Sequence, residues 1–189
     1  MSLYDDIKNK VDYNPNNSVQ WFKNNVTTPL QNMSTQKFLG ENQPWQTSGK
    51  NINVGSMIAY GYFPKHHDTL PHYDKFPLAL PFSVDAKGFT AINLHYLPFM
   101  YRINLLDKLI HFRTDDKFDE NTKLKMSWGL LTSLSKHNEA QHAVKRYLWG
   151  HVKTNFINIP MIDWPISVFL PIARFVGATE QQVWRGRLR

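Results

Sequence analysis

The chain has no cysteine in its 189 residues. Disulfide staples, thiolate metal sites and cysteine nucleophiles are thereby excluded. No apolar run approaches the ~20 residues that span a bilayer. The first ten residues, MSLYDDIKNK, hold no signal-peptide apolar core, so a soluble protein made in a cytoplasm is expected, with no membrane partner. No G-x-x-x-x-G-K-[ST] run cradles nucleotide phosphates, and no G-x-S-x-G elbow presents a serine nucleophile. Internal repeats and low-complexity tracts are missing too. With no catalytic signature and no cofactor motif, neither an enzyme nor a bound cofactor is expected.

What the chain does have is aromatic and cationic content. Hydrophobic residues make up 42% and aromatic residues 14%, which favours a packed or interface-rich protein over a disordered one. Net charge is +7 and the pI is near 9.5, a bias suited to a phosphate backbone or an acidic partner. The excess is spread along the chain, +1 over residues 1–50 and +2 over each of 51–113, 114–160 and 161–189. The one concentration is the end, where Arg185, Arg187 and Arg189 fall within five residues. Such a run is either a solvated tail or a flexible arm on nucleic acid.

Residues 1–50 are rich in Asn, Gln, Ser and Thr. They read as an extended arm with a local helix over Val19–Val26, docked by Trp21, Phe22, Phe38 and Trp45. Residues 51–189 read as a single α+β domain with a basic C-terminal tail. Val54–Phe63, Phe76–Val84 and Phe89–Tyr96 are strand candidates. Pro77 and Pro81 make the second an edge or bulged strand, and Asp85-Ala86-Lys87-Gly88 is a hairpin turn. The expected fold is a small curved antiparallel sheet or an SH3-like barrel with packed helices and an extended N-terminal arm. After Pro98, residues Tyr101, Leu105, Leu106, Leu109 and Ile110 recur at helical spacing. Residues 114–122 form an acidic surface loop. Lys123–Lys153 reads as one long helix or two, with Lys145, Arg146 and Lys153 along its later part, facing phosphates or the helix C-terminus. Phe156–Ile159 and Trp164–Val176 are further strand candidates, and Thr179 caps a last helix anchored by Val183 and Trp184.

His66, His67, Asp68, His72 and Asp74 share one loop, with His95 in a nearby strand. Imidazoles and carboxylates ligate zinc, manganese or iron. Their spacing matches no strong metal signature, and the bland reading is loop histidines bonded to backbone. A hydrolase using His66, His67, Asp68 and His72 is the enzymatic alternative. Tyr60, Tyr62, Phe63, Tyr73 and Phe89 sit on the strand region, where packing is the default. Tyr73, in the polar loop, is the stacking candidate. Binding a duplex end asks for a flat apolar face against the terminal pair, with cations for the last phosphates.

Three blocks carry a family resemblance. They are YGYFPKHHDTLPHYDKFPL (Tyr60–Leu78), GFTAINLHYLP (Gly88–Pro98) with Arg102 and Leu105–Leu109 following, and WPISVFLPIARFVGATEQQVW (Trp164–Trp184). In that order they resemble the DNA end protector proteins of T-even-type tailed phages, over roughly residues 54–189. The resemblance implies a virion protein assembled in the host cytoplasm and added late to the head. It would bind double-stranded DNA ends, block host exonuclease on injection and assist head completion and tail joining. It would not be an enzyme. Its partners beyond DNA would be other virion proteins of the portal, neck, tail or baseplate. On this reading Lys65, Lys75, Arg102, Lys145, Arg146, Arg174, Arg185, Arg187 and Arg189 are the phosphate-contact candidates. The competing reading is a structural virion component of the neck, tail or baseplate held by protein contacts alone.

Overall fold

A computed structural model describes residues 46–47, 52–161, 164–167 and 173–185. The expected helix at Val19–Val26, its aromatic anchors, and Arg187 and Arg189 lie outside these residues. The strands are β1 (Gln46–Thr47), β2 (Met57–Ala59), β3 (Tyr73–Asp74), β4 (Leu78–Asp85), β5 (Gly88–Asn93), β6 (Val144–Leu148), β7 (Phe156–Ile159) and β8 (Phe175–Val176). The helices are α1 (Phe99–Thr114), α2 (Glu120–Lys136), α3 (Asn138–Gln141), α4 (Trp164–Ser167) and α5 (Glu180–Arg185). Short 3-10 turns cover Leu94–Tyr96 and Trp149–His151.

The fold is α+β. Six strands pair antiparallel in the order β1-β7-β2-β4-β5-β6, and β3 pairs with β8 in a separate ribbon. Among the described residues the larger sheet stays open, with β1 and β6 as its edges, so the small sheet rather than the SH3-like barrel is realised. Strand alternation buries both faces. Met57, Ala59, Leu78, Leu80, Ile92 and Ile157 pack under Ile103, Leu106 and Leu109 of α1 and Leu131 of α2. Ile58, Tyr60, Ala79, Phe89, Ala91, Tyr147 and Phe156 fill the opposite face. There the Tyr60 ring meets Phe89, Tyr147 and Phe156 edge-on at 5.6, 5.4 and 5.1 Å, an arrangement that adds to burial through ring quadrupoles.

Local chemistry explains the corners. Asp85 Oδ1 accepts from Lys87 N–H at 2.8 Å and Gly88 N–H at 3.1 Å, closing the β4–β5 turn. A Cβ on Gly88 would stand 1.9 Å from the Tyr147 carbonyl oxygen, so only glycine lets β6 come this close. The β4–β5 register shifts between Pro81 and Ser83. That bulge accommodates a proline in a strand that is central, not an edge. Asp119 caps α2 by accepting from Thr122 N–H at 3.0 Å. Thr179 and Gln182 cap α5 reciprocally, Gln182 Oε1 accepting from Thr179 N–H at 2.8 Å and Thr179 Oγ1 from Gln182 N–H at 3.3 Å. All four described tryptophans donate their indole N–H to a backbone carbonyl: Trp128 to Phe82, Trp149 to Asp85, Trp164 to Ile159, Trp184 to His95.

Two elements differ from expectation. Helix stops at Lys136 and Gln141, and Val144–Leu148 is strand β6, in register with β5 from Gly88↔Leu148 to Ile92↔Val144. The spacing of Val144, Tyr147 and Leu148 fits either period, and the ladder offered by β5 decides. Within Trp164–Val176 the described residues form helix α4 at the start and strand β8 only at Phe175–Val176. Pro165 stands in the first turn of a helix, where its missing donor costs nothing.

Candidate nucleic-acid interface

The candidate site is built where four backbone segments run side by side. Lys75 N–H donates to the Arg174 carbonyl at 2.9 Å, Tyr62 N–H to the Lys75 carbonyl at 2.8 Å, and Lys153 N–H to the Gly61 carbonyl at 2.8 Å. Phe63 N–H reaches the His151 carbonyl at 3.0 Å. Arg174, Lys75 and Lys153 are therefore brought onto neighbouring segments that span about 14 Å at ordinary strand spacing. Lys65 follows Phe63 at the start of the adjoining turn. All four cations are exposed, and among the described residues none has a carboxylate within ion-pair distance.

A buried carboxylate holds this end together. Asp74 Oδ1 accepts from Phe76 N–H at 3.1 Å and Arg174 N–H at 3.3 Å. Its Oδ2 accepts from Asn93 Nδ2 at 3.1 Å and His95 Nδ1 at 2.7 Å. Asn93 Nδ2 also donates to the Tyr147 hydroxyl at 3.1 Å, and Asn93 Oδ1 accepts from His95 N–H at 3.0 Å. One side chain thus ties the β3–β8 ribbon to β5 and to the turn after it. Gly177, at φ +85°, closes the ribbon. A Cβ there would meet the Pro71 carbonyl oxygen at 2.5 Å, and the left-handed backbone favours glycine independently.

Three of the remaining candidate cations have other work. Arg102 is buried on α1, its Nε donating to the Leu97 carbonyl at 2.7 Å and a terminal nitrogen to the His95 carbonyl at 3.1 Å. The Trp184 ring covers it at 5.4 Å. Burial lowers its pKa to about 10, so it stays cationic at neutral pH. It is withdrawn from the phosphate set because it is buried, with Nε and one terminal nitrogen turned to the chain's own carbonyls. Lys145 lies over the Tyr96 ring at 4.0 Å, with burial lowering its pKa to about 8. Arg146 holds both Asp85 carboxylate oxygens at 2.6 and 2.7 Å, and that pairing, with the turn's backbone donors, keeps the Asp85 carboxyl below its usual range. Lys145 and Arg146 stand on strand β6 and not on a helix C-terminus. Arg185 is exposed at the last described position.

The stacking candidate changes as well. Tyr73 is buried, 8% exposed, beneath Phe63, whose ring stands perpendicular to it at 6.2 Å. Phe63 is the exposed ring, at 38%. His67 lies against Phe63 at 4.3 Å, with its Nε2 2.8 Å from Asp68 Oδ1. His66 is exposed, and its carbonyl closes the turn by accepting from Thr69 and Leu70. His72 packs on Tyr96 at 5.8 Å and on Phe175 at 6.3 Å. Burial, then the Lys145 ammonium, push its imidazole below the ordinary value. Among the described residues no three His, Cys, Asp or Glu side chains gather as a metal-holding group.

The model of one protein family, the phage T4 terminal DNA protecting protein, matches residues 1–186. The chain belongs to this family. No curated relative and no solved structure matches it. The terminal DNA protecting match begins at residue 1, so it takes in the first fifty residues, which the motif blocks do not reach. The family's role is protection of the phage's terminal DNA. No described helix is long and apolar enough to cross a membrane.

Read from sequence, three residues of this end have other roles. Phe63 packs among the strand aromatics, and Asp74 belongs to the metal-ligand candidates. Lys153 reads as part of a helix with Lys145 and Arg146, whereas it follows strand β6 and the Trp149–His151 turn. The signal for Arg102 was available. With Leu105, Leu106 and Leu109 it occupies i, i+3, i+4 and i+7, the buried stripe of α1.

Proposed function

We propose that this chain binds the terminus of packaged double-stranded DNA within the virion and shields it from host exonuclease. The DNA lies on the end of the domain formed by the β3–β8 ribbon and the Gly61–Phe63 and His151–Lys153 segments. The observation that carries this reading is the Lys75–Arg174 pair. Residues 75 and 174 continue the β3–β8 register opposite one another, where two like charges destabilise a ribbon. They do so without a carboxylate partner among the described residues, although the nearby Asp74 carboxylate is spent on backbone and side-chain donors. An external polyanion supplies the missing counter-charge. Lys65 and Lys153 extend the patch, and Arg185, Arg187 and Arg189 add a basic end to the chain.

Head completion and tail joining use protein contacts on another surface. Trp128, 51% exposed, and Leu124, 43% exposed, share a face of α2 at i, i+4, and Val84, 41% exposed, lies near the bulge whose Phe82 carbonyl Trp128 holds. An exposed apolar group of this kind suits a neighbouring virion protein.

The deciding experiment compares binding to linear duplex with binding to the same duplex closed into a circle, over a salt series, alongside exonuclease digestion of the linear form. Preference for ends that weakens steeply with salt, with slowed digestion, supports the reading. Equal and negligible binding to both forms refutes it and leaves the structural virion component held by protein contacts.

A further inference from the structure

Phe63 is an apolar ring, 38% exposed, on one of the neighbouring segments that carry the exposed cations. Its backbone is fixed by the bond to the His151 carbonyl, and His151 Nδ1 in turn donates to the Phe63 carbonyl at 2.9 Å. Buried Tyr73 supports the ring from beneath. His67 lies alongside it, pinned by Asp68. Val176, the cross-strand partner of Tyr73, is 37% exposed, and Leu70 at the far end of the turn is 43% exposed. The exposed Lys65, Lys75, Lys153 and Arg174 lie on the same and the adjoining segments. A rigid aromatic surface costs little entropy on binding, and every nucleobase offers it a π-face whatever the sequence. Inside a duplex those faces are covered by neighbouring pairs. Only at a terminus is one of them free.

We propose that Phe63, flanked by His67 and backed by Tyr73, is the platform on which the terminal base pair of a DNA end stacks. This inference rests on the DNA-terminus reading above and adds what distinguishes an end from the rest of the duplex. The cations take the last phosphates, which are common to ends and interior alike. The ring takes the exposed face of the final pair, which an interior site cannot offer. Recognition is consequently independent of sequence and selective for termini.

The test uses the full chain and its Phe63→Ala and Phe63→Trp variants. The probe is a blunt-ended duplex carrying 2-aminopurine at the terminal pair or at an internal one, with a closed circle as competitor. Wild type and Phe63→Trp quench the terminal fluorophore and leave the internal one unchanged. Phe63→Ala loses the quenching, and its preference for ends over circle falls about 5- to 150-fold, the range of one lost base–aromatic stack, while its salt-sensitive affinity for the circle persists. Persistence also shows that the variant is folded. End preference in wild type that survives Phe63→Ala overturns the platform and leaves the DNA-terminus reading standing. Absence of end preference in wild type overturns both.

Discussion

Asp74→Ala is the most demanding perturbation of this fold. The carboxylate accepts four hydrogen bonds, from Phe76 N–H, Arg174 N–H, Asn93 Nδ2 and His95 Nδ1, and Asp74 and His95 are almost wholly buried. Removal leaves these donors unequal. The two backbone groups are part-buried and regain water. Asn93 keeps the Tyr147 hydroxyl. His95 Nδ1 loses its acceptor and stays buried. The two buried hydrogen bonds to the carboxylate, from Asn93 and His95, are worth about 1.5–3 kcal/mol each, and because such neighbours are not fully additive their loss costs about 3–5 kcal/mol. At about 2–4 °C per kcal/mol for a chain of this size, the midpoint of thermal unfolding falls by roughly 6–20 °C. Urea unfolding gives the same loss with an unchanged slope, since the exposed area on unfolding is the same. A cycle with His95→Ala shows coupling of at least about 0.5 kcal/mol. A midpoint within about 3 °C of wild type, or strict additivity in the cycle, would refute the assignment of Asp74 as the tie between ribbon and sheet.

Four further outcomes follow from the geometry. Lys75→Ala with Arg174→Ala lowers the slope of log affinity for DNA against log salt by about 1.8, at about 0.9 per phosphate contact, and a slope equal to wild type removes both residues from the interface. Arg102→Ala does the reverse: it strips a buried donor from the Leu97 and His95 carbonyls and costs about 2–5 kcal/mol in chemical denaturation, with the salt slope of DNA binding unmoved. Gly88→Ala drives a methyl into the Tyr147 carbonyl and costs at least about 2 kcal/mol, read as a lower urea midpoint. The alkaline profile has two limbs. Lys145 titrates at about 8 in the fold against 10.5 in the open chain, so between those values the unfolded chain binds the extra proton and stability rises with pH. Above pH 10 the buried Tyr60, Tyr96 and Tyr147, whose pKa values are raised, stay neutral while the unfolded tyrosines ionise, and stability falls. Lys145→Met abolishes the rise and keeps the fall.

Much of the fold was legible where one period ran unopposed. Helix α1 declares itself through Leu105, Leu106 and Leu109, and β7 through Phe156–Ile159. The β4–β5 turn is written in Asp85 and Gly88, and the α5 cap in Thr179. Readability fails where two periods agree, as at Val144, Tyr147 and Leu148, and where proline has two meanings, as at Pro165. The site was less legible for a different reason. Charge and aromaticity are sequence properties, but availability is not. Arg102 and Lys145 look identical to Lys75 in a charge count, yet the fold uses the first two internally. Tyr73 has polar neighbours in sequence and Phe63 has strand neighbours, and tertiary packing inverts the exposure that these contexts imply.

The four indole N–H bonds have an optical consequence. Trp128, Trp149, Trp164 and Trp184 each sit on a different seam: α2 against β4, the end of β6 against the β4–β5 turn, α4 against β7, and α5 against the turn after β5. Indole emission shifts to the red when water replaces such surroundings. The sequence has only two other tryptophans, Trp21 and Trp45. Replacing five of the six with phenylalanine, four ways, yields four single-fluorophore proteins. The spectra of the buried Trp164 and the half-buried Trp149 and Trp184 then each report the opening of one named seam, while the half-exposed Trp128 serves as the reference already in water.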